Sequence, residues 1–204
     1  MTHPSVDLGD AVRRLMNTAV LTQAGDNDLA AAARAVDAIT EQLAAPGLRD
    51  SMRLPDEESM RRGDRPYSPV IGSANPLAPP LTVTVLEDQT VVGECTMQPI
   101  HEGPPGAVHG GWVATLLDQL LGHATAASGN RGFTAELTVR YRRPTPYGVP
   151  LTLHGRTDEV DGRRVHTSAE IVVDDVVTAE ARGLFLKPSP ERMAELRETL
   201  TARS

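Results

Sequence analysis

The stretch that most constrains this chain is Val108 to Gly122, VHGGWVATLLDQLLG. After His109-Gly110-Gly111, apolar residues recur at helical spacing: Val113, Leu116, Leu117, Leu120 and, just beyond, Ala124. A helix that is apolar nearly all round belongs inside a fold. Asp118 is set into that run, so the sequence predicts a carboxylate screened from water. Burying an unpaired carboxylate is costly, and a chain that tolerates the cost has a use for the charge or an ion pair to offset it.

The glycines raise a second expectation. The first N–H groups of a helix have no partner within it, and the helix dipole places partial positive charge there. Gly110 and Gly111 carry no Cβ, so a ligand can approach those donors closely. Such a place suits a phosphate, or the oxyanion that forms when an acyl carbonyl is attacked. The alternative is that the glycines only let the helix pack tightly on a sheet. Gly110 and Asp118 lie eight residues apart, about 12 Å along one helix. An attacking group and an oxyanion donor both have to sit within about 3 Å of the reacting centre. A two-fold dimer with antiparallel helices would bring one chain's Gly110 to the other's Asp118, so a site built on this stretch is expected to be shared between subunits.

The chain has 204 residues and a net charge of −7, which argues against a general nucleic-acid binder. Its single cysteine, Cys95, permits no internal disulfide and fits a reducing compartment. The first residues lack the pattern of a secretory signal, and no apolar run is long enough to cross a membrane. A cytoplasmic protein with no membrane partner is expected. The histidines show no metal-binding spacing and no Gly-x-Ser-x-Gly elbow is present, so neither a metal, a cofactor nor a serine nucleophile is expected.

In chain order, residues 1–48 read as a helical extension. Two helices run from about Val6 to Ala45, the second capped by Asp26 or Asn27, with Leu29, Ala33, Val36, Ile39 and Leu43 at intervals of three and four. An amphipathic pair packed on the body or on a partner is the expectation. Residues 49–80 are a proline-rich linker whose second half is ordered against the core. Strands follow at Leu81 to Val85 and Thr90 to Met97, then the helix from Gly110 to Ala127. Four more strands are predicted at Ala135 to Arg142, Leu151 to Val160, Arg164 to Val173 and Val177 to Leu186, with Asp161-Gly162 marking a hairpin. Residues 81–188 thus form the main domain, and 189–204 a short charged helix. The class is α+β: an antiparallel sheet of about five to six strands around one central helix.

That order of elements, with His109-Gly110-Gly111 and Asp118, resembles the hotdog fold. More specifically it resembles the PaaI-like acyl-CoA thioesterases, in the branch related to thioesterase superfamily member 4. Asn75 to Pro80 ahead of the first strand, Glu102 to Gly106 ahead of the motif, and Thr134 to Pro144 after the helix all agree, and the resemblance covers about residues 70 to 188. It implies that Asp118 is general base on water, or nucleophile, against a thioester carbonyl. It also implies that the Gly110 N–H, beside Gly111, is the oxyanion donor supplied from the opposite subunit. Thr134 would place the carboxylate or the water, and His109 would orient the loop, capping the helix being the alternative. Some relatives carry an asparagine at the position of Gly103, so one donor to the substrate oxygen is missing here, and His101 or water is expected to replace it. Arg140, Arg142 and Arg143 are candidate contacts to the phosphates of coenzyme A, with a solvated sheet edge as the alternative. The implied partners are an acyl-CoA, with an aliphatic acyl group favoured by the 3% aromatic content, and a homodimer or dimer of dimers with shared sites. Rival readings are a module that binds acyl-CoA without cleaving it and another hotdog activity such as a dehydratase or hydratase.

Overall fold

The computed structural model describes residues 3–48, 65–79 and 81–189, together with Glu191, Arg192, Glu195 and Glu198. The first half of the expected linker and most of the expected C-terminal helix lie outside the described residues; those four C-terminal positions are helical. The described elements are α1 (Pro4–Leu21), α2 (Asp26–Ala44), β1 (Thr82–Val85), β2 (Val91–Thr96), a 3-10 turn (Pro99–His101), α3 (Gly110–Ala127), β3 (Phe133–Tyr141), β4 (Pro150–Asp161), β5 (Arg164–Val173) and β6 (Val176–Leu186).

The six strands form one antiparallel sheet in the order β1-β2-β4-β5-β6-β3. Chain connectivity explains the order. Two-residue turns join β4 to β5 and β5 to β6, while α3 carries the chain from the β2 side to the far edge, where β3 pairs with β6. The turn at Gly162-Arg163 has its positive φ on glycine, one residue later than the sequence suggested. Asp174 and Asp175 both adopt positive φ between Val173 and Val176, the twist that a tight hairpin requires and that aspartate tolerates.

The sheet wraps α3. Val113, Leu116, Leu117, Leu120, Leu121 and Ala124 are buried against inward residues such as Leu151, Leu153, Val165, Ile171 and Phe185. Leu120 fits because Gly93 and Gly155 stand beneath it: a Cβ on either would lie 3.0 Å from its methyl carbons. Each fully buried leucine contributes about 1.5–3 kcal/mol through burial, so this helix anchors the domain. This is the hotdog arrangement.

Ahead of the sheet, α1 clasps the second half of the linker. Arg13 donates to the carbonyls of Asn75 (2.9 Å) and Ala78 (3.0 Å), and Asn17 accepts from the Ile100 N–H (3.2 Å). Ala74 and Ala78 are buried there. The second helix is capped by Gly25, without a side-chain hydrogen bond, rather than by Asp26 or Asn27. Every residue of α2 is exposed, so among the described residues nothing buries this helix on the body, the first of the two expected arrangements. No helix among the described residues is long and apolar enough to cross a membrane.

Candidate active site

The N-terminus of α3 is built from its cap. His109 has extended backbone geometry, and its Nδ1 accepts from the Gly111 N–H at 3.0 Å. An accepting Nδ1 leaves the proton of the neutral ring on Nε2. Trp112 and Val113 donate to the His109 carbonyl. The Gly110 N–H is then the first-turn donor with no acceptor among the described residues. It also lies at the positive end of the helix dipole.

Two turns along, Asp118 is half-buried rather than sealed from water. Thr134 at the start of β3 donates from Oγ1 to Asp118 Oδ1 at 2.9 Å, and Oδ2 has no partner among the described residues. Gly111, Ala114, Thr115, Asp118 and Gly122 fall on the stripe of α3 that its own sheet covers least. The reason is topological: β3, the strand over that stripe, is the sheet edge, and most of its residues are exposed.

Tyr141 closes the other end of this strand, donating from Oη to the Gly110 carbonyl at 2.9 Å. Sequence reasoning did not single it out. Its signal was its place on the inward alternation with Leu137 and Val139, which pack against the core.

Gly103 stands against the motif histidine: a Cβ there would lie 2.6 Å from His109 Cα. An asparagine could not occupy this position unless the histidine backbone moved. The surrounding loop is stapled by Glu102, whose Oε1 accepts from the Gly106 N–H at 2.8 Å, and by the His109 N–H bonded to the His101 carbonyl.

Two expectations about substrate contacts need correction. His101 is 1% exposed, its ring packed edge-on against Trp112 with centroids 4.7 Å apart. Its Nδ1 accepts from the Gln98 N–H (3.0 Å) and its Nε2 faces the Leu77 carbonyl (3.5 Å). Burial above all holds its pKa below the usual histidine value. The ring ties the linker to the 3-10 turn and has no free donor for a substrate oxygen. Arg140 and Arg142 lie on the opposite face of the sheet from Asp118, lining a groove of about 790 Å³ with Arg156, Arg182 and His154. The cause is a bulge: Thr134 pairs with Phe185 and Glu136 with Leu184, so Ala135 is an extra residue and the alternation inverts after it. Arg142 is paired with Glu180 at 2.9 Å. Arg143 is exposed just past β3, two residues beyond Tyr141, its N–H bonded to the Thr178 carbonyl.

A fold of this kind, with a carboxylate on the central helix and a glycine pair at its start, places the molecule among hotdog proteins. The family model described as thioesterase superfamily matches residues 105–184. A solved thioesterase superfamily protein is 38% identical, with the match covering 89% of this chain and 94% of that one at a TM-score of 0.80. The chain belongs to the thioesterase superfamily. Acyl-coenzyme A thioesterase THEM4 of Xenopus laevis is 37% identical over 100 residues, 47% of this chain and 45% of the relative. The protein of that name from Bos taurus is 34% identical over 96 residues, 46% of this chain and 39% of the relative. The chain therefore spans less than half the length of these curated relatives.

Proposed function

We propose that the protein hydrolyses an acyl-CoA to the free acid and coenzyme A. The observation that carries this reading is the Thr134–Asp118 hydrogen bond: it fixes one carboxylate oxygen and leaves the other for a water molecule. Asp118 takes a proton from that water as the water oxygen attacks the thioester carbon. The electron pair of the carbonyl moves onto oxygen, and the Gly110 N–H of the other subunit holds the resulting oxyanion. Collapse breaks the C–S bond, and the departing thiolate recovers the proton from Asp118. Thr134 and His109 are positioning residues here, the first for the carboxylate, the second for the helix start.

The shared site requires a dimer, and the exposed nine-residue edge of β3 supports one. Long unpaired edges are strand-pairing surfaces. Two-fold pairing of β3 with its copy would cover the small-residue stripe of α3, leaving an acyl slot beside Asp118. An aliphatic acyl group, hence a role in lipid metabolism, fits a slot lined by small aliphatic side chains. Arg143 is the proposed phosphate contact; Arg140 and Arg142 could serve only a substrate that reaches across the sheet from another subunit. A reducing cytoplasm is the proposed location, in keeping with the lone buried thiol of Cys95.

Thiol release from a panel of acyl-CoAs of increasing chain length tests the reading. Turnover that collapses in Asp118→Asn supports it. A wild type that binds acyl-CoA yet releases no thiol across the panel contradicts it and leaves a binding module.

A further inference from the structure

The most conspicuous surface outside the site is α2. Its nineteen residues are all exposed, and Leu29, Val36, Ile39 and Leu43 are 38–53% accessible although each is a core-forming type. Leu29, Val36 and Leu43 recur every seven residues, with Ala32 and Ile39 between them, also seven apart. That is the seam of a helix pair, the a and d positions of a heptad. The positions flanking the seam beyond its first turn are Ala33, Ala35, Thr40 and Gln42, small or neutral side chains that let a second helix approach. Arg34, Asp37 and Glu41 lie on the far side.

Charge decides the occupant. The helix carries four carboxylates (Asp26, Asp28, Asp37, Glu41) against one guanidinium (Arg34), so an anionic lipid surface would repel it. Asp26 and Asp28 flank the seam at one end only. A parallel pair would crowd four carboxylates at that end. An antiparallel pair separates them, and if Val36 lies opposite the copy's Ile39, Ala32 falls opposite the copy's Leu43, small against large. In that register Asp26 and Asp28 project past the copy's last turn at Ala44. In this register the paired stretch runs from Ala31 to Ala44 with Leu29 beyond its end, and the flank residues that face across it (Ala33, Ala35, Thr40 and Gln42) carry no charge, so a second copy of this chain fits the seam.

We propose that α2 is a self-association arm that pairs antiparallel with α2 of a second subunit. A pair of this length is weak alone, but the catalytic domain's own contacts would hold the two arms at high effective concentration.

The test uses introduced cysteines, for which the buried Cys95 is no competitor. Ala35→Cys and Gln42→Cys lie on the same flank and meet only across an antiparallel pair. Mild oxidation of the two full-length chains mixed is expected to give a covalent dimer, and of either alone none. Ile39→Asp added to both chains is expected to reduce the cross-link at least ~10-fold, with far-UV circular dichroism showing the fold retained. Cross-linking by each variant alone, none in the mixture, or a yield that Ile39→Asp leaves unchanged overturns the proposal.

Discussion

Thr134 Oγ1 and Asp118 Oδ1 are 2.9 Å apart, joining the start of an edge strand to the middle of the central helix. The bond orients the carboxylate without neutralising it, since the hydroxyl donates. Removing the carboxylate should therefore cost much more than removing its anchor. Asp118→Asn is predicted to lower kcat by ~100-fold or more, the scale of a general base. Thr134→Ala should lose about tenfold in kcat with little change in KM, as expected for one hydrogen bond to a charged group. Equal losses in the two variants would contradict a positioning role for Thr134.

Tyr141 should behave as a second positioning residue. Tyr141→Phe keeps the ring against Gly110 and removes only the hydrogen bond to its carbonyl. A fall in kcat of about three- to tenfold, with melting temperature nearly unchanged, is the expected outcome. A stability loss with unaltered turnover would make Tyr141 a packing residue.

Gly103 has no space for a side chain beside His109. Gly103→Asn must push the backbone of the motif histidine, and overpacking of this kind costs about 1–3 kcal/mol. Differential scanning calorimetry should show a lower melting temperature, and activity should fall with it. A stable and more active Gly103→Asn variant would show that the loop yields and that the side chain contributes a donor.

Acid should weaken the fold through its buried histidines. Burial, more than any nearby charge, lowers the pKa of both His101 and His123, and His123 Nε2 is buried without a partner among the described residues. The unfolded chain then binds more protons than the folded one below the ordinary value of 6.5. Stability is therefore full above that value and declines as pH drops through it towards the depressed folded-state values. Melting temperature should fall from about pH 7 to about pH 5, and His101→Gln, which can still accept from Gln98, should flatten part of the slope. A curve in which the variant and the wild type have the same slope would remove His101 from this account.

Much of the fold was legible in the sequence, and the reason is local. The glycines at 110 and 111 and the unbroken apolar period fix α3 at Gly110–Ala127, as read from the residues alone. The meander was readable within a residue or two because its turns are marked by Gly162 and by paired aspartates. What escaped was set by tertiary context. Strict alternation puts Thr134, Arg140 and Arg142 on one face, and only the extra residue at Ala135 separates the hydroxyl from the guanidiniums. His101 looks like any polar loop residue until Trp112 and the Leu77 carbonyl close around it. The half-exposure of Asp118 follows from β3 being an edge, which no property of Asp118's neighbours in sequence reveals.

The central claim, a site assembled from two subunits, is tested most directly by complementation between Asp118→Ala and Gly110→Pro. Proline at the first helical position is well tolerated and removes the N–H in question, and extended His109 already has the backbone that precedes proline. Each variant alone should be nearly inactive. Unfolded together in equal amounts and refolded, half the dimers are mixed, and each mixed dimer has one site free of both changes. Activity should return to about a quarter of wild type. A mixture as inactive as its components would mean that Asp118 and Gly110 act within one chain, or not on the same substrate, and the shared site would be wrong.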